Sequence, residues 1–294
     1  MSSNSTLPET VQSPYGYVPT EAVCIVFIAL FAISGVLHLG EAIKWRTWWM
    51  IPTMVLANVG EVIGWSGRLW SSRNPPLLDP FLMQISSTII SPSFMSAANF
   101  TILGLIIKKV GSQYSWLTPR WYLIIFVTFD VVSLVVQAIG GAKASGLASR
   151  HEDADPGAKI MLYGIIAQMI AIVIYSLLGA EFITRFILNK PVRAIPAKDG
   201  SFESFDEKAN GRSALDKGTK LMLIGLVINT LFMLVRSSYR TAELLDGWSG
   251  SIITNQALFN WLDGMPITVC TYTFNVLHPG YLLLKASKLD NYSA

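Results

Sequence analysis

Two arginines and a carboxylate lie close together near the end of a long apolar run. The stretch LVRSSYRTAELL (residues 234–245) carries Arg236, Arg240 and Glu243 at spacings of four and three residues. Side chains at these spacings share one face of an α-helix. Guanidinium groups so placed hold a phosphate or carboxylate head group through paired hydrogen bonds, or they pair with acids such as Glu61 or Asp263 on neighbouring helices. The sequence leaves both possibilities open.

Further ionisable and amide side chains interrupt other apolar runs. Glu61 and Arg68 are seven residues apart, as are Asp130 and Gln137, so each pair shares a helical face. A charge at the centre of a bilayer costs about 3 kcal/mol on insertion scales, so we expect these side chains to face the inside of a bundle. The acids there are also suited to receive an amine. The candidate substrate-binding residues are Glu61, Arg68, Asp130, Gln137, Arg236, Arg240, Glu243 and Asp263.

The elements that hold these residues are membrane helices. Of the 294 residues, 52% are hydrophobic and 14% charged, whereas soluble domains are nearer one quarter charged. An apolar run of about 20 residues spans the hydrocarbon core as a helix. The sequence therefore predicts an all-α membrane protein with seven transmembrane helices, at 21–40, 47–67, 81–107, 119–140, 159–182, 219–240 and 257–284.

The basic residues predict the orientation of these spans. With the N-terminus outside, fifteen of the 22 lysines and arginines lie in cytosolic segments, as the positive-inside rule requires. We therefore expect an outside N-terminus, with a glycosylation sequon at Asn4, and a cytosolic C-terminus. The expected organisation is an extracellular tail at 1–20, a membrane domain at 21–284 with a flexible cytosolic loop at 189–218, and a cytosolic tail at 285–294.

In this orientation the candidate residues lie between the midplane and the outer surface. One interpretation is a polar cavity that opens to the outer leaflet. The other is a network of interhelical salt bridges and hydrogen bonds that only fixes the packing. Four tryptophans flank the region, and an interfacial aromatic belt accounts for them more simply than a ligand cage. They are Trp65, Trp70, Trp248 and Trp261.

The sequence lacks residues that several other classes of protein require. There is no GxxxxGK[ST] phosphate loop for a nucleotide-driven pump, and the seventh span has no lysine for retinal before Lys285. A catalytic zinc often takes several histidines and the chain has three, so no metal-binding residues are expected. We also expect no catalytic residues and no nucleic-acid partner. No cofactor is expected either, although His38 and His278 at the inner helix ends permit a bis-histidine haem.

Six stretches resemble the fungal lipid-translocating exporter family, also called the RTA-like family. The resemblance extends from the first span to the end of the seventh. Trp65 stands where the family more often has tyrosine, and Gln256 and Trp261 stand where many members have glutamate and tyrosine. The stretches are GEVIGWSGR (60–68), ISPSFMSAANFTILG (90–104), FDVVSLVVQAIGGAKA (129–144), GIIAQ (164–168), VRSSYRTAEL (235–244) and HPG (278–280).

This resemblance implies a non-enzymatic, seven-helix protein of the fungal plasma membrane or endomembranes. Such a protein exports or translocates amphipathic lipids, such as sphingoid long-chain bases or sterol-like toxic amphiphiles, and contributes to resistance. Its partners are membrane lipids and an amphipathic small molecule, and no oligomeric state is indicated. The main alternative is a lipid sensor or receptor, which binds its ligand without moving it. Porphyrin or haem transport is a minor alternative.

Overall fold

The computed structural model describes residues 13–150, 152–192, 216–247 and 250–285, with the side chains of 148, 284 and 285 left out. Within these ranges the chain is helical and contains no β-strand, as the sequence predicts. The Asn4 sequon, Trp248 and most of the polar loop and C-terminal tail lie outside the described residues. The helices are α1 (Glu21–Trp45), α2 (Leu56–Arg73), α3 (Leu78–Val110), α4 (Pro119–Ser149), α5 (Asp155–Ile187), α6 (Lys217–Asp246), α7 (Gln256–Phe259) and α8 (Met265–Val276).

Five of the described helices are long and apolar enough to cross a membrane: α1, α3, α4, α5 and α6. Their outward faces carry large apolar side chains that are exposed in the isolated chain, for example Val36 on α1, Ile139 on α4 and Leu177 on α5. Such faces are suited to lipid tails rather than to water. The chain is therefore a multi-pass membrane protein.

The second and seventh expected spans are built from shorter pieces rather than from one uninterrupted α-helix. A π-helical turn at Ile51–Val55 leads into α2, and another at Asn260–Gly264 joins α7 to α8. Proline lacks the N–H for the ordinary helical bond, and Pro52 and Pro266 lie in or directly after these turns. The α2 helix also continues past the expected end at residue 67, and its three charged residues lower its hydropathy.

Helices that follow one another in the chain pack side by side, and α8 returns to contact α1. The α3 helix also contacts α6 and lies at the centre of this arrangement. In its most apolar stretch 72% of the residues are buried, against 22% to 33% for the other four long helices. Polar side chains of α3 therefore face other helices rather than lipid.

Glycines let α2 approach α3 closely, as expected from small residues between membrane helices. A Cβ atom at Gly64 would lie 2.7 Å from the Thr88 side chain, and one at Gly67 would lie 2.8 Å from the Pro80 carbonyl oxygen. No larger residue fits without moving α3. This contact sets Thr88 beside the polar face of α2.

Candidate functional site

Arg240 forms the centre of a buried ionic cluster. Its Nε and one terminal nitrogen donate to the two carboxylate oxygens of Asp263 at 2.7 and 2.9 Å. The other terminal nitrogen donates to Glu243 at 2.8 Å, and Thr88 Oγ accepts a further bond at 2.9 Å. Glu243 also accepts a hydrogen bond from the Tyr239 hydroxyl at 3.0 Å. Every ionic group in this set is less than 5% exposed, and four of the five guanidinium N–H groups of Arg240 donate to protein acceptors.

Arg236 lies one turn earlier on α6 and reaches the same partners. Its Nε is 3.1 Å from Asp263 Oδ1, and a terminal nitrogen donates to the backbone carbonyl of Thr88. That carbonyl is free because the residue four positions later is Pro92, which has no N–H to complete the helical bond. The proline in α3 thus creates the acceptor that Arg236 binds.

Glu61 is a carboxylate of the cluster that forms no salt bridge with any described residue. It is 1% exposed, and its Oε1 has no hydrogen-bond partner among the described residues. It lies within electrostatic range of Asp263, Arg236 and Arg240, and near the Trp65 indole. A buried carboxylate with a free oxygen is unusual, because an unpaired buried polar atom is costly.

Arg68 lies among aromatic rings instead of beside a carboxylate. Its guanidinium carbon is 4.2 Å from the ring centre of Phe259, 4.9 Å from Tyr15 and 5.5 Å from Tyr17. It also lies 5.8 Å from the Trp65 ring and donates a hydrogen bond to the Tyr17 hydroxyl. Cation–π contacts strengthen when desolvated, and Arg68 is 1% exposed. The aromatic cage therefore stabilises this charge, which forms no salt bridge with a carboxylate in the described part of the chain.

Two of these rings come from the segment before α1, which the sequence places in a polar tail. Tyr15 is 2% exposed and donates to Gln84 of α3 at 3.2 Å. Burial raises the pKa of Tyr15 to about 12 and also raises the pKa of Tyr17. Both phenols therefore remain protonated at neutral pH, with Tyr15 as a donor to Gln84 and Tyr17 as an acceptor from Arg68.

Gln137 belongs to a chain of amides beside the cluster. Its Nε2 donates to Gln168 of α5 at 2.9 Å, and Gln168 Nε2 donates to Ser93 of α3 at 2.6 Å. A small cavity of about 10 Å³, enough for about one water-sized group, connects these amides to the arginines. It is lined by Ile89, Gln137, Ile165, Gln168, Arg236, Ser237 and Arg240.

Asp130 is two turns from Gln137 on α4 and lies apart from the cluster. It is 4% exposed, and its Oδ2 has no hydrogen-bond partner in the described part of the chain. The shared helical face with Gln137 does not bring it to the cavity. Asp130 is therefore a buried carboxyl group outside the site that the other candidates form.

The structure thus gathers seven of the eight candidate residues around one region, at the end of the bundle where α2 joins α3. Several partners were missing from the candidate set. Thr88 has one usable signal, its position four residues before Pro92, while Tyr17 and Phe259 are distant in sequence with no spacing that marks them. The gathered residues are Glu61, Arg68, Gln137, Arg236, Arg240, Glu243 and Asp263.

The tryptophans divide into two groups. Trp65 is fully buried and stacks on Phe27 with ring centres 4.1 Å apart, so an interfacial position for it is wrong. Its ring packs in the core because α2 turns this face towards α1. Trp70 and Trp261 are 46% and 66% exposed, which is compatible with an interfacial belt.

His38 and His278 lie at the opposite end of the bundle, and both are buried. The α1 and α8 helices are in direct side-chain contact here, since Ser34 bonds Thr271 at 2.7 Å. His38 Nε2 lies 3.1 Å from the Thr271 carbonyl oxygen, and His278 Nδ1 accepts from the Gly280 backbone. Each ring keeps one nitrogen without a hydrogen-bond partner among the described residues, Nδ1 of His38 and Nε2 of His278.

The fold and this site define a class: a multi-pass helical membrane protein with ionic groups gathered inside the bundle. The chain also matches a known protein family. A model described as "RTA1 like protein" matches residues 54–286. The chain belongs to this family, which confirms the resemblance found in the sequence.

Relatives from Saccharomyces cerevisiae cover most of the chain. The sphingoid long-chain base transporter RSB1 is 28% identical over 280 residues, which is 90% of this chain and 73% of the relative. Protein RTA1 is 26% identical over 90% of this chain and 84% of the relative. Protoporphyrin uptake protein 1 is 23% identical over 89% of this chain and 90% of the relative. No solved structure matches the chain. Family and relatives point to a membrane transport protein rather than an enzyme.

Proposed function

We propose that this protein translocates amphipathic lipids, with sphingoid long-chain bases or sterol-like toxic amphiphiles as substrates, and so contributes to lipid export or resistance. The observation that carries the proposal is the buried ionic cluster, in which Glu61 keeps a free carboxylate oxygen beside two arginines. Charged groups inside a membrane bundle are a strong indicator of a substrate path. The name of RSB1 agrees with this substrate class.

The proposed topology has seven crossings with the N-terminus outside. The π-helical turn plus α2 covers 51–73, and the segment from α7 to α8 covers 256–276. At about 1.5 Å per residue each reaches the roughly 30 Å of a hydrocarbon core. With the excess of basic residues inside, the ionic cluster lies towards the outer leaflet. The compartment we propose is the plasma membrane or an endomembrane.

In this proposal different residues of the cluster bind different parts of the head group. Asp263 and Glu243 already hold Arg240, so Glu61 is the acid that receives a cationic amine. Among the described residues, Arg236 is held by its ion pair with Asp263 and by one aligned hydrogen bond to the Thr88 carbonyl, which leaves its Nε–H for an anionic or hydroxyl group. The hydrocarbon part of the substrate then extends along the apolar outer faces of α5 and α6 into the lipid.

The test is transbilayer movement of a labelled sphingoid base in proteoliposomes, with binding measured in parallel. We expect movement above that of empty vesicles, a strong loss with Arg236→Ala, and no change with Lys190→Ala. Lys190 is an exposed cation just after α5, far from the cluster. Equal movement by both variants at equal expression would contradict the assignment of the site. Binding without movement in the wild type would instead favour the sensor.

A further inference from the structure

Two polar atoms of residues around the small cavity of about 10 Å³ have no hydrogen-bond partner among the described residues. They are the carbonyl oxygen Oε1 of Gln137 and the Nε–H of Arg236. The two side chains are 3% and 6% exposed, so neither is satisfied by bulk water. Natural interiors rarely leave such groups unpaired, so these two atoms are available to a polar group that enters the cavity.

The Arg236 donor is free despite a nearby acid. Its Nε lies 3.1 Å from Asp263 Oδ1, close enough for charge attraction. The N–H is not aligned with that oxygen, which is already bonded to Arg240 at 2.7 Å. The ion pair therefore holds the guanidinium in position while its Nε–H stays open to a third group.

The Gln137 acceptor is fixed by the amide chain. Its Nε2 donates to Gln168, and Gln168 donates in turn to Ser93. Since the NH₂ end of Gln137 is engaged, its carbonyl end is the one left for a ligand. A Cβ atom at Gly164 would lie 2.5 Å from Gln137 Cγ, so α5 holds this side chain tightly. Gln168 is thus a positioning residue for the acceptor.

We propose that this cavity binds a hydroxyl group of the lipid, which donates to Gln137 Oε1 and accepts from Arg236 Nε. A hydroxyl both donates and accepts, whereas a phosphate or carboxylate oxygen only accepts and an ammonium only donates. The ligand class is a long-chain amphiphile with a hydroxyl a few bonds from its charged group. This inference rests on the proposed function for its substrate type and adds the residues that select the hydroxyl.

The test compares three amines of equal chain length for binding to the purified protein in detergent. Sphinganine carries two hydroxyls, 1-deoxysphinganine one, and octadecylamine none. We expect the dissociation constant of octadecylamine to exceed that of sphinganine by roughly tenfold or more, because it leaves a buried donor and acceptor unpaired. Equal binding of all three amines would mean that the cavity holds only water, and would overturn the proposal.

Substitutions test which residues cause the tighter binding of the hydroxylated amines. Gln137→Leu should bring sphinganine down to the affinity of octadecylamine and leave octadecylamine unchanged, while Gln113→Leu, between α3 and α4 at the far end, keeps the preference. Gln168→Leu should weaken the preference, and Gln168→Glu should preserve it because a carboxylate still accepts from Gln137. This second pair tests the proposal even if Gln137→Leu does not fold. An undiminished preference in Gln137→Leu or in Gln168→Leu would overturn it.

The same amines are followed for transbilayer movement in proteoliposomes. A binding preference without movement contradicts translocation and leaves the hydroxyl subsite intact. Movement without any preference contradicts the subsite and leaves translocation intact. The two proposals therefore fail separately.

Discussion

The ionic cluster depends on Arg240, which satisfies two acids at once. Asp263 takes a bidentate contact and Glu243 a single one, and both carboxylates are nearly inaccessible. Removing the guanidinium leaves Glu243 without a salt bridge among the described residues and Asp263 with Arg236 alone. The loss of one partner of a buried ion pair is far more costly than the loss of an exposed one.

Replacing Arg240 with methionine should therefore destabilise the protein by about 3–5 kcal/mol, as for other broken buried pairs. Thermal unfolding in detergent measures this, with folded yield as a second readout. The matched control is Arg73→Met, whose partner Glu21 is 47% exposed and whose own side chain is 61% exposed. The control should change stability by less than about 1 kcal/mol. Similar effects of both substitutions would contradict the central role of Arg240.

For single residues, the sequence predicts which side chains share a helical face but not all the residues that they contact. Helical spacing is local, so Arg236, Arg240 and Glu243 are expected together, and Asp263 is among the expected acids. The contact of Arg68 with Tyr17 joins residues 51 positions apart, and no periodicity encodes it. Asp130 shows the opposite case, since a shared face with Gln137 does not ensure a shared site.

The helices are held at the distances that the cluster requires by a few glycines. Gly164 of α5 lies against α4, where a Cβ atom would meet Gln137 Cγ at 2.5 Å and the Ser133 carbonyl oxygen at 2.8 Å. Because the second contact is with backbone, it cannot be relieved by a side-chain rotation. The α4–α5 spacing, and with it the amide chain, depends on the absence of a side chain there.

Gly164→Ala should destabilise the protein by about 1–3 kcal/mol, as overpacking does elsewhere. The control is Gly40→Ala on α1, where a Cβ atom would meet nothing within 4 Å. That change should be neutral or stabilise by up to about 1 kcal/mol, since alanine favours helix more than glycine. Melting temperatures of the two purified variants give the comparison. An unchanged melting temperature for Gly164→Ala would show that α4 and α5 can separate freely.

Pro92 also affects how helices contact each other, because it leaves the Thr88 carbonyl of α3 free to accept from Arg236 of α6. In Pro92→Ala the new N–H competes with Arg236 for the Thr88 carbonyl. We expect little loss of stability but at least a several-fold loss of lipid movement, measured in proteoliposomes. The control Pro119→Ala lies at the first residue of α4, where proline removes no helical bond. Full activity of Pro92→Ala would show that this contact of Arg236 is dispensable.

Apolar length and composition predict the five long helices correctly at the scale of the molecule. The other two expected spans have π-helical turns that hydropathy does not detect, because the cause is the position of Pro52 and Pro266 rather than polarity. The burial of Tyr15 and Tyr17 against α2 and α3 is likewise invisible to a hydropathy window, which treats their segment as tail.

The topology gives a prediction for the whole chain. Both native cysteines, Cys24 and Cys270, are buried, so a single added cysteine reports its own side of the membrane. Asn74→Cys, between α2 and α3, should react with an impermeant maleimide applied outside intact cells. Ser112→Cys, between α3 and α4, should react only after permeabilisation. The reverse pattern would contradict an outside N-terminus.

The central claim is that the buried cluster holds the head group of a translocated lipid. The most direct measurement is the initial rate of sphinganine movement in proteoliposomes that contain wild type or Glu61→Gln. The substitution keeps the shape of the side chain and removes the carboxylate, which makes no direct ion pair among the described residues. We expect an unchanged melting temperature and a rate lower by at least roughly tenfold, since a charged hydrogen bond is lost. An unchanged rate in the folded variant would contradict the claim.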